Sequence, residues 1–268
     1  MGNEAVLPLS PRPKIEKKLG YRIANLQGVG ARARQEDSFA VSNAFDVMKI
    51  WDEGLFITVC DGMGGMRDGK LASETAIQSL RNSFAEMDRQ GDLDGQLERS
   101  IRLASREVEA VIGGDGGSTV VAGIIYKERL SFASVGDSYF FLYRDGVLNR
   151  LNREHNLCQQ MFLEEVQDGS MEQKNYREMD EAVALTQFLG MIGMDDVDAS
   201  YRPYPLKEGD ILLLCSDGVG GVLSEEEIIR ALSLKSEQAM CQQLEQGLVA
   251  HAKRNQDNYT ALIVKCVY

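Results

Sequence analysis

Five carboxylate-bearing segments carry the chemistry of this chain: GARARQEDSF at residues 30–39, VCDGMGG at 59–65, SVGDSYFF at 134–141, LCSDGVGG at 214–221 and NQDNYTALIV at 255–264. In each, an Asp stands at the boundary of an apolar, strand-like run. Two segments repeat one design, with Asp61 closing LFITVC and Asp217 following ILLLCS, each succeeded by a glycine-rich turn. Ionised carboxylates gathered at the ends of neighbouring buried strands repel one another and lose hydration, which raises their pKa until some turn neutral. A bound divalent cation removes both penalties. Carboxylates, backbone carbonyls and water are hard oxygen ligands that favour Mg²⁺ or Mn²⁺, and only His155 and His251 are available for a softer metal. Gly62 suits such a site, because a residue without Cβ turns sharply and brings its carbonyl close as a ligand. Gly64 and Gly65 leave room for a substrate.

Periodicity predicts the elements that must position these groups. Tyr21–Gln27 and Ser38–Phe45 read as strands, and Leu55–Cys60 as a strand buried on both faces. Ile77, Leu80, Phe84 and Met87, then Leu97, Ile101, Ala104, Val108 and Val111, recur at helical spacing and predict two helices with one apolar stripe each. Three short strands follow, Ser118–Tyr126, Leu130–Val135 and Tyr139–Tyr143; their connections are too short for crossovers, so they are expected to pair antiparallel. The polar stretch 152–181 has weak periodicity, with a short helix near Leu157, Met161 and Phe162, and reads as a flap. A strand at Ile211–Cys215, helices at Glu225–Leu234 and Gln238–Lys253, and a strand at Tyr259–Val267 complete the chain. Antiparallel strand blocks with helices inserted in pairs predict a sheet-on-sheet core covered by helices.

Composition narrows the function classes. The 268 residues are 44% hydrophobic, enough for one large core, and 29 Lys+Arg against 41 Asp+Glu give a formal charge of -12. That balance argues against a nucleic-acid backbone or an anionic membrane as the main partner. Five scattered cysteines without CxxC spacing suggest neither a disulfide framework nor a zinc site, and point to a reducing cytoplasm. No apolar run approaches a membrane span. Residues 1–18 carry Glu4 and three prolines where a signal peptide would be apolar, and Val6 where myristoylation wants Ser or Thr, so an unanchored flexible lead is expected.

Taken in chain order, RxxxED at Arg32 to Asp37, DGMGG at Asp61 to Gly65, GGST at Gly116 to Thr119, VGDS at Val135 to Ser138, SDG at Ser216 to Gly218 and DN at Asp257 to Asn258 resemble the metal-dependent protein phosphatases called PPM, or protein phosphatase 2C. The match spans about residues 20 to 267. No single motif is specific; six in the family's order are. The resemblance implies an α+β fold, a four-layer α-β-β-α sandwich of two central antiparallel sheets flanked by helix pairs, formed by residues 19–268, with a two-metal centre at one end. It implies that Asp61 bridges both metals, that the Gly62 carbonyl binds one, and that Asp217 and Asp257 bind the other. Asp137 resembles the aspartate of a third, weaker metal, although a Gly-Asp-Ser corner could simply shape a hairpin. Glu36 and Asp37 match the family's acidic pair; adjacent strand residues point to opposite faces, so at least one is expected to act through water. Arg32 matches the arginine that grips phosphate, with Arg34 its competitor on the same face of an extended strand.

The activity so implied is Mg²⁺- or Mn²⁺-dependent hydrolysis of phosphoserine and phosphothreonine in proteins by metal-activated water, without a covalent intermediate. Met63 stands where certain relatives carry a histidine, leaving protonation of the departing oxygen to a metal-held water. The partners implied are phosphorylated proteins acted on by a separate kinase, and the chain is expected to be a monomer. The alternative is a weak or inactive member that binds phosphoproteins; retention of Asp61, Asp217 and Asp257 argues against it. An aspartyl-phosphate mechanism requires a second Asp two residues after the nucleophile, where Met63 and Val219 stand. Cys60 and Cys215 read as small core residues, GGST as packing at a strand start, His155 as a structural hydrogen-bonding group, and His251 as solvated or capping.

Overall fold

The computed structural model describes residues 18–64, 68–114, 116–169 and 184–268, and in it the apolar runs form two antiparallel sheets packed face to face. The first sheet has the order β1 (Gly20–Gly28), β13 (Tyr259–Val267), β12 (Ile211–Cys215), β8 (Tyr139–Arg144) and β9 (Val147–Arg150). The second has the order β10 (Asp198–Ala199), β7 (Arg129–Val135), β6 (Val120–Tyr126), β3 (Leu55–Cys60) and β2 (Ser38–Ser42), with β11 (Tyr204–Pro205) also on β7.

Strand β3 is buried at every position because its alternating side chains serve two cores. Leu55, Ile57 and Val59 meet Leu212, Leu214, Leu262 and Val264 between the sheets. Phe56 and Cys60 point the other way, onto Leu80 of α2 (Asp68–Glu86) and Leu97, Ile101 and Ala104 of α3 (Leu93–Ile112). Strand β12 divides likewise: Leu212 and Leu214 face the other sheet, while Ile211, Leu213 and Cys215 pack on α6 (Glu225–Leu232) and α7 (Glu237–Ala250). The result is the expected α-β-β-α sandwich.

Strand register brings the acids together. Ser38 pairs with Cys60, Val120 with Val135, Cys215 with both Tyr139 and Ala261, and Gly28 with Tyr259. Asp37, Asp61, Asp137, Asp217, Asp257 and the Arg32 turn therefore all leave their strands at one end of the sandwich.

Several elements differ from expectation. Strands β6 and β7 form the expected hairpin, but β7 and β8 do not pair; Gly136, at φ 102, turns the chain from one sheet into the other, close against Thr119. A three-residue connection suffices because the sheets are stacked rather than side by side. The strand expected to reach Phe45 ends at Ser42, and α1 (Val47–Glu53), capped by Asp46, follows; it buries no residue, so it had no apolar stripe to reveal it. The stretch 152–181 read as a flap contains α4 (Leu157–Asp168), also without buried residues, and its part from 170 to 181 lies outside the described residues, as does the lead 1–17. A four-residue helix, α5 (Asp217–Gly220), follows β12 directly.

Candidate metal centre

Asp61 leaves β3 and is held through its backbone. Its carbonyl accepts from the Thr119 N–H at 2.8 Å and the Ser118 hydroxyl at 3.0 Å, while its own N–H donates to Thr119 Oγ1 at 3.1 Å. Strand β4 (Gly62–Gly64) pairs with β5 (Gly116–Ser118) to extend this clamp. GGST therefore does more than pack a strand start. Its two hydroxyls fix the main chain that carries Asp61, a role whose only sequence signal was a Ser-Thr pair abutting an apolar strand. Beyond Asp61, a Cβ on Gly62 would lie 2.1 Å from the Gly69 carbonyl oxygen and 2.7 Å from that of Glu36, so only glycine fits between helix α2 and the acidic pair.

The acidic pair divides as strand geometry requires. Glu36 lines the cleft, whereas Asp37 is fully buried, with Oδ2 accepting from Ser216 Oγ at 2.9 Å. Helix α2 braces both from behind: Ser73 Oγ donates to the Glu36 carbonyl at 2.5 Å and Lys70 Nζ to the Asp37 carbonyl at 3.0 Å. Asn258, unassigned from sequence beyond its motif, stitches the loop in front. Its Oδ1 accepts from the Glu36 N–H at 2.8 Å, and its Nδ2 donates to the carbonyls of Val29 at 2.8 Å and Arg34 at 2.9 Å. Residues 30–34 form turns and bends instead of the extended strand expected, so the same-face argument for Arg34 does not hold; Arg32 is the arginine lining the cleft. Its Nη2 lies 2.6 Å from Asp257 Oδ2, with the side chain 57% exposed.

Arg32, Glu36, Asp61, Gly62, Asp137, Asp217 and Asp257 line one cleft of about 460 Å³. The electrostatics are those of a crowded acidic cluster that Arg32 offsets only in part. Burial, then the charges of Asp37, Asp217 and Asp137, hold the Asp61 carboxyl well above the usual range. Burial pushes Asp37 up to about 6, with the charge of Asp217 adding to it. Asp137 is pushed up to about 7 by burial and then by Asp217, and Asp217 is raised by burial and Asp257. Glu36 is raised by burial, then by Asp257 and Asp68. Two buried carboxylate oxygens, Asp37 Oδ1 and Asp217 Oδ1, meet no hydrogen-bond donor.

Those two orphaned oxygens, the Gly62 cradle and the all-oxygen donor set fit hard divalent cations. The set is gathered but not closed: among the described residues no three His, Cys, Asp or Glu side chains already form a cage for one ion. Asp257 is paired with Arg32, Asp37 accepts from Ser216, and the Asp217 charge helps to raise the Asp61 carboxyl. Asp137 stands at the inter-sheet corner, not in a hairpin. His155 is buried behind it and accepts the Gly136 N–H at Nδ1 (3.2 Å), a structural role as expected. His251 ends α7 and contacts Glu227 at 2.8 Å.

An acidic cluster at one end of a four-layer α-β-β-α sandwich, with Arg32 at its rim, defines the class of protein whose oxygen donors suit divalent cations. The chain belongs to the protein phosphatase 2C family, whose model matches residues 30–258. It is similar to a serine/threonine phosphatase, stp, of Listeria monocytogenes, 28% identical over 223 residues that cover 80% of this chain and 85% of the relative. Its fold is that of the serine/threonine phosphatase PstP of Mycobacterium tuberculosis (TM-score 0.76, 24% identity, covering 92% of this chain and 99% of the other). A structure of the PstP catalytic domain in complex with two manganese ions superposes with a TM-score of 0.74 at 25% identity, covering 94% of this chain and all of the other. Among the described residues no helix is long and apolar enough to cross a membrane.

Proposed function

We propose that the chain is a Mg²⁺- or Mn²⁺-dependent phosphatase acting on phosphoserine and phosphothreonine in proteins. The observation that carries this reading is the convergence of Asp61, Asp217 and Asp257, from three separate strand ends, on one cleft with Arg32 at its rim. Asp61, the Gly62 carbonyl, Asp217 and Asp257 would hold the cations, with Asp61 central among them. Glu36 and Asp37 support the cluster, and Asp137 offers a weaker third position. When bound, the cations supply a water of lowered pKa and offset charge on the phosphoryl oxygens. The chain's own work is positioning. Thr119 and Ser118 fix the Asp61 backbone, Asn258 fixes the 29–36 loop, and Arg32 exchanges Asp257 for two phosphoryl oxygens, which a guanidinium fork matches. Met63 provides no acid for the departing alcohol.

In this reading residues 19–268 form one catalytic unit behind a lead at 1–18, work as a monomer in the cytoplasm, and oppose a Ser/Thr kinase. Release of phosphate from p-nitrophenyl phosphate and from phosphothreonine peptides, dependent on Mn²⁺ and abolished by exhaustive chelation, is the expected result. Undiminished turnover in chelator defeats the proposal. Phosphopeptide binding without turnover in saturating Mn²⁺ favours the inactive binding member instead.

A further inference from the structure

A second cavity, of about 710 Å³, shares Asp137, Asp217 and Asp257 with the carboxylate cleft and lies between the outer face of the first sheet and the loop entering α6. Its volume far exceeds what one phosphoryl group needs and is of the size that seats several side chains. One cation in its wall keeps two hydrogen-bond donors unused. Arg150, the last residue of β9, places its guanidinium carbon 4.0 Å from the centre of the Tyr139 ring and donates through Nη1 to Glu154. Its Nε and Nη2, however, meet no acceptor and are buried.

Those two nitrogens form one edge of the guanidinium fork, the edge that matches a planar pair of carboxylate or phosphate oxygens. Leaving a buried charged donor unmade costs more than a typical hydrogen bond gains, and here two are unmade on the same edge. Glu225 and Lys253 add one charge of each sign to the wall, and other charged groups of the cavity already have counterparts. Glu154 is held by Arg150 and Asn156, Asp257 by Arg32, and His251, on the opposite wall, by Glu227. Divalent cations in the neighbouring cleft would compensate the three shared aspartates. Arg150 therefore lines a cavity that adjoins the reaction site while the edge formed by its Nε and Nη2, buried in the wall, has no acceptor.

We propose that this cavity is a second anion subsite, in which Arg150 takes a further carboxylate or phosphate of the same substrate chain while the scissile phosphate occupies the carboxylate cleft. The proposal rests on the phosphatase reading and adds to it a preference for phosphosites in acidic or multiply phosphorylated segments. Tyr139 beneath the guanidinium keeps it in the cavity wall. The Arg150 side chain is 25% exposed, so a turn of its stem presents the free edge to an incoming oxyanion.

The test compares the full chain, loaded with Mn²⁺, with Arg150→Gln and Arg150→Lys on four substrates: p-nitrophenyl phosphate, a phosphothreonine peptide with neutral flanks, the same peptide with flanking glutamates, and the same peptide with a second phosphothreonine. The parent is expected to prefer one or both anionic peptides. Arg150→Gln lowers kcat/KM on those by on the order of tenfold or more and leaves the first two substrates unchanged. Arg150→Lys, a charge without a fork, falls between. Loss confined to the glutamate peptide identifies a carboxylate as the natural group, and loss confined to the doubly phosphorylated one identifies phosphate. A parent without preference, or equal effects of Arg150→Gln on all four substrates, overturns the proposal. Inactivity of the parent on every substrate overturns the phosphatase reading instead.

Discussion

Replacing Asp37 by Asn separates the cost of the acidic cluster from its use. The Asp37 carboxyl is fully buried, keeps Oδ1 without a donor, and has its pKa pushed up to about 6 by burial and by Asp217. Against an unfolded-state value near 3.9, that rise of about two units costs the metal-free fold about 3 kcal/mol once the group is ionised. The sign follows from proton linkage. An acid with a raised folded pKa carries no penalty below its unfolded pKa, loses stability through the window from about pH 4 to about pH 6, and carries the whole penalty at about pH 7.5. Asn keeps the acceptor for Ser216 and cannot ionise. In chelator the variant is therefore expected to melt higher than the parent at about pH 7.5, by roughly 5–10 °C for a chain of this size, and no higher at about pH 4. In Mn²⁺ the order reverses, because the parent gains the binding free energy of cations that its intact cluster holds more tightly. Melting curves followed by circular dichroism at both pH values, in chelator and in Mn²⁺, read all of these quantities. A variant that melts lower than the parent in chelator at neutral pH, or that keeps the full Mn²⁺ shift, refutes the idea that repulsion within this cluster is what a cation relieves.

Asp217→Asn is expected to cut Mn²⁺-dependent phosphate release by on the order of 10²–10³-fold while the far-ultraviolet circular dichroism stays that of the parent; turnover near the parent's would remove Asp217 from the centre. Arg32→Ala should lower kcat/KM on a phosphopeptide by roughly 10–100-fold with little effect on the Mn²⁺-induced melting shift, and a loss of that shift would make Arg32 a brace for Asp257 instead. Gly62→Ala puts a methyl group 2.1 Å from the Gly69 carbonyl oxygen, a backbone atom with no rotamer to yield. Urea unfolding should show it destabilised by roughly 2–4 kcal/mol, and a parent-like midpoint would mean that the start of α2 gives way freely. Asn258→Ala removes three hydrogen bonds from the 29–36 loop, and is expected to raise KM for a phosphopeptide more than it lowers kcat; unchanged kinetics would show that the loop holds without it.

Much of this molecule was written locally. Leu55–Cys60, apolar but for Thr58, and Ile211–Cys215, apolar throughout, are buried at every position because each strand has a core on both sides, and the acids at their ends were visible as the one feature such strands do not need. The paired helices showed one apolar stripe each because they cover only one sheet face. What no window of sequence carried was partnership. Strands β7 and β8 look like a hairpin, yet Gly136 sends them into different sheets, since a short connection cannot tell a neighbour beside from a neighbour above. The clamp of Thr119 on Asp61 joins residues 58 apart, and that of Asn258 on Glu36 joins residues 222 apart. Likewise the burial of Asp37 behind Glu36, the pairing of Arg32 with Asp257 and the unmet edge of Arg150 arise only when the strand ends meet. Burial and period are properties of a residue and its near neighbours, whereas charge compensation and hydrogen-bond closure depend on which distant groups the packed sheets bring within a few ångströms.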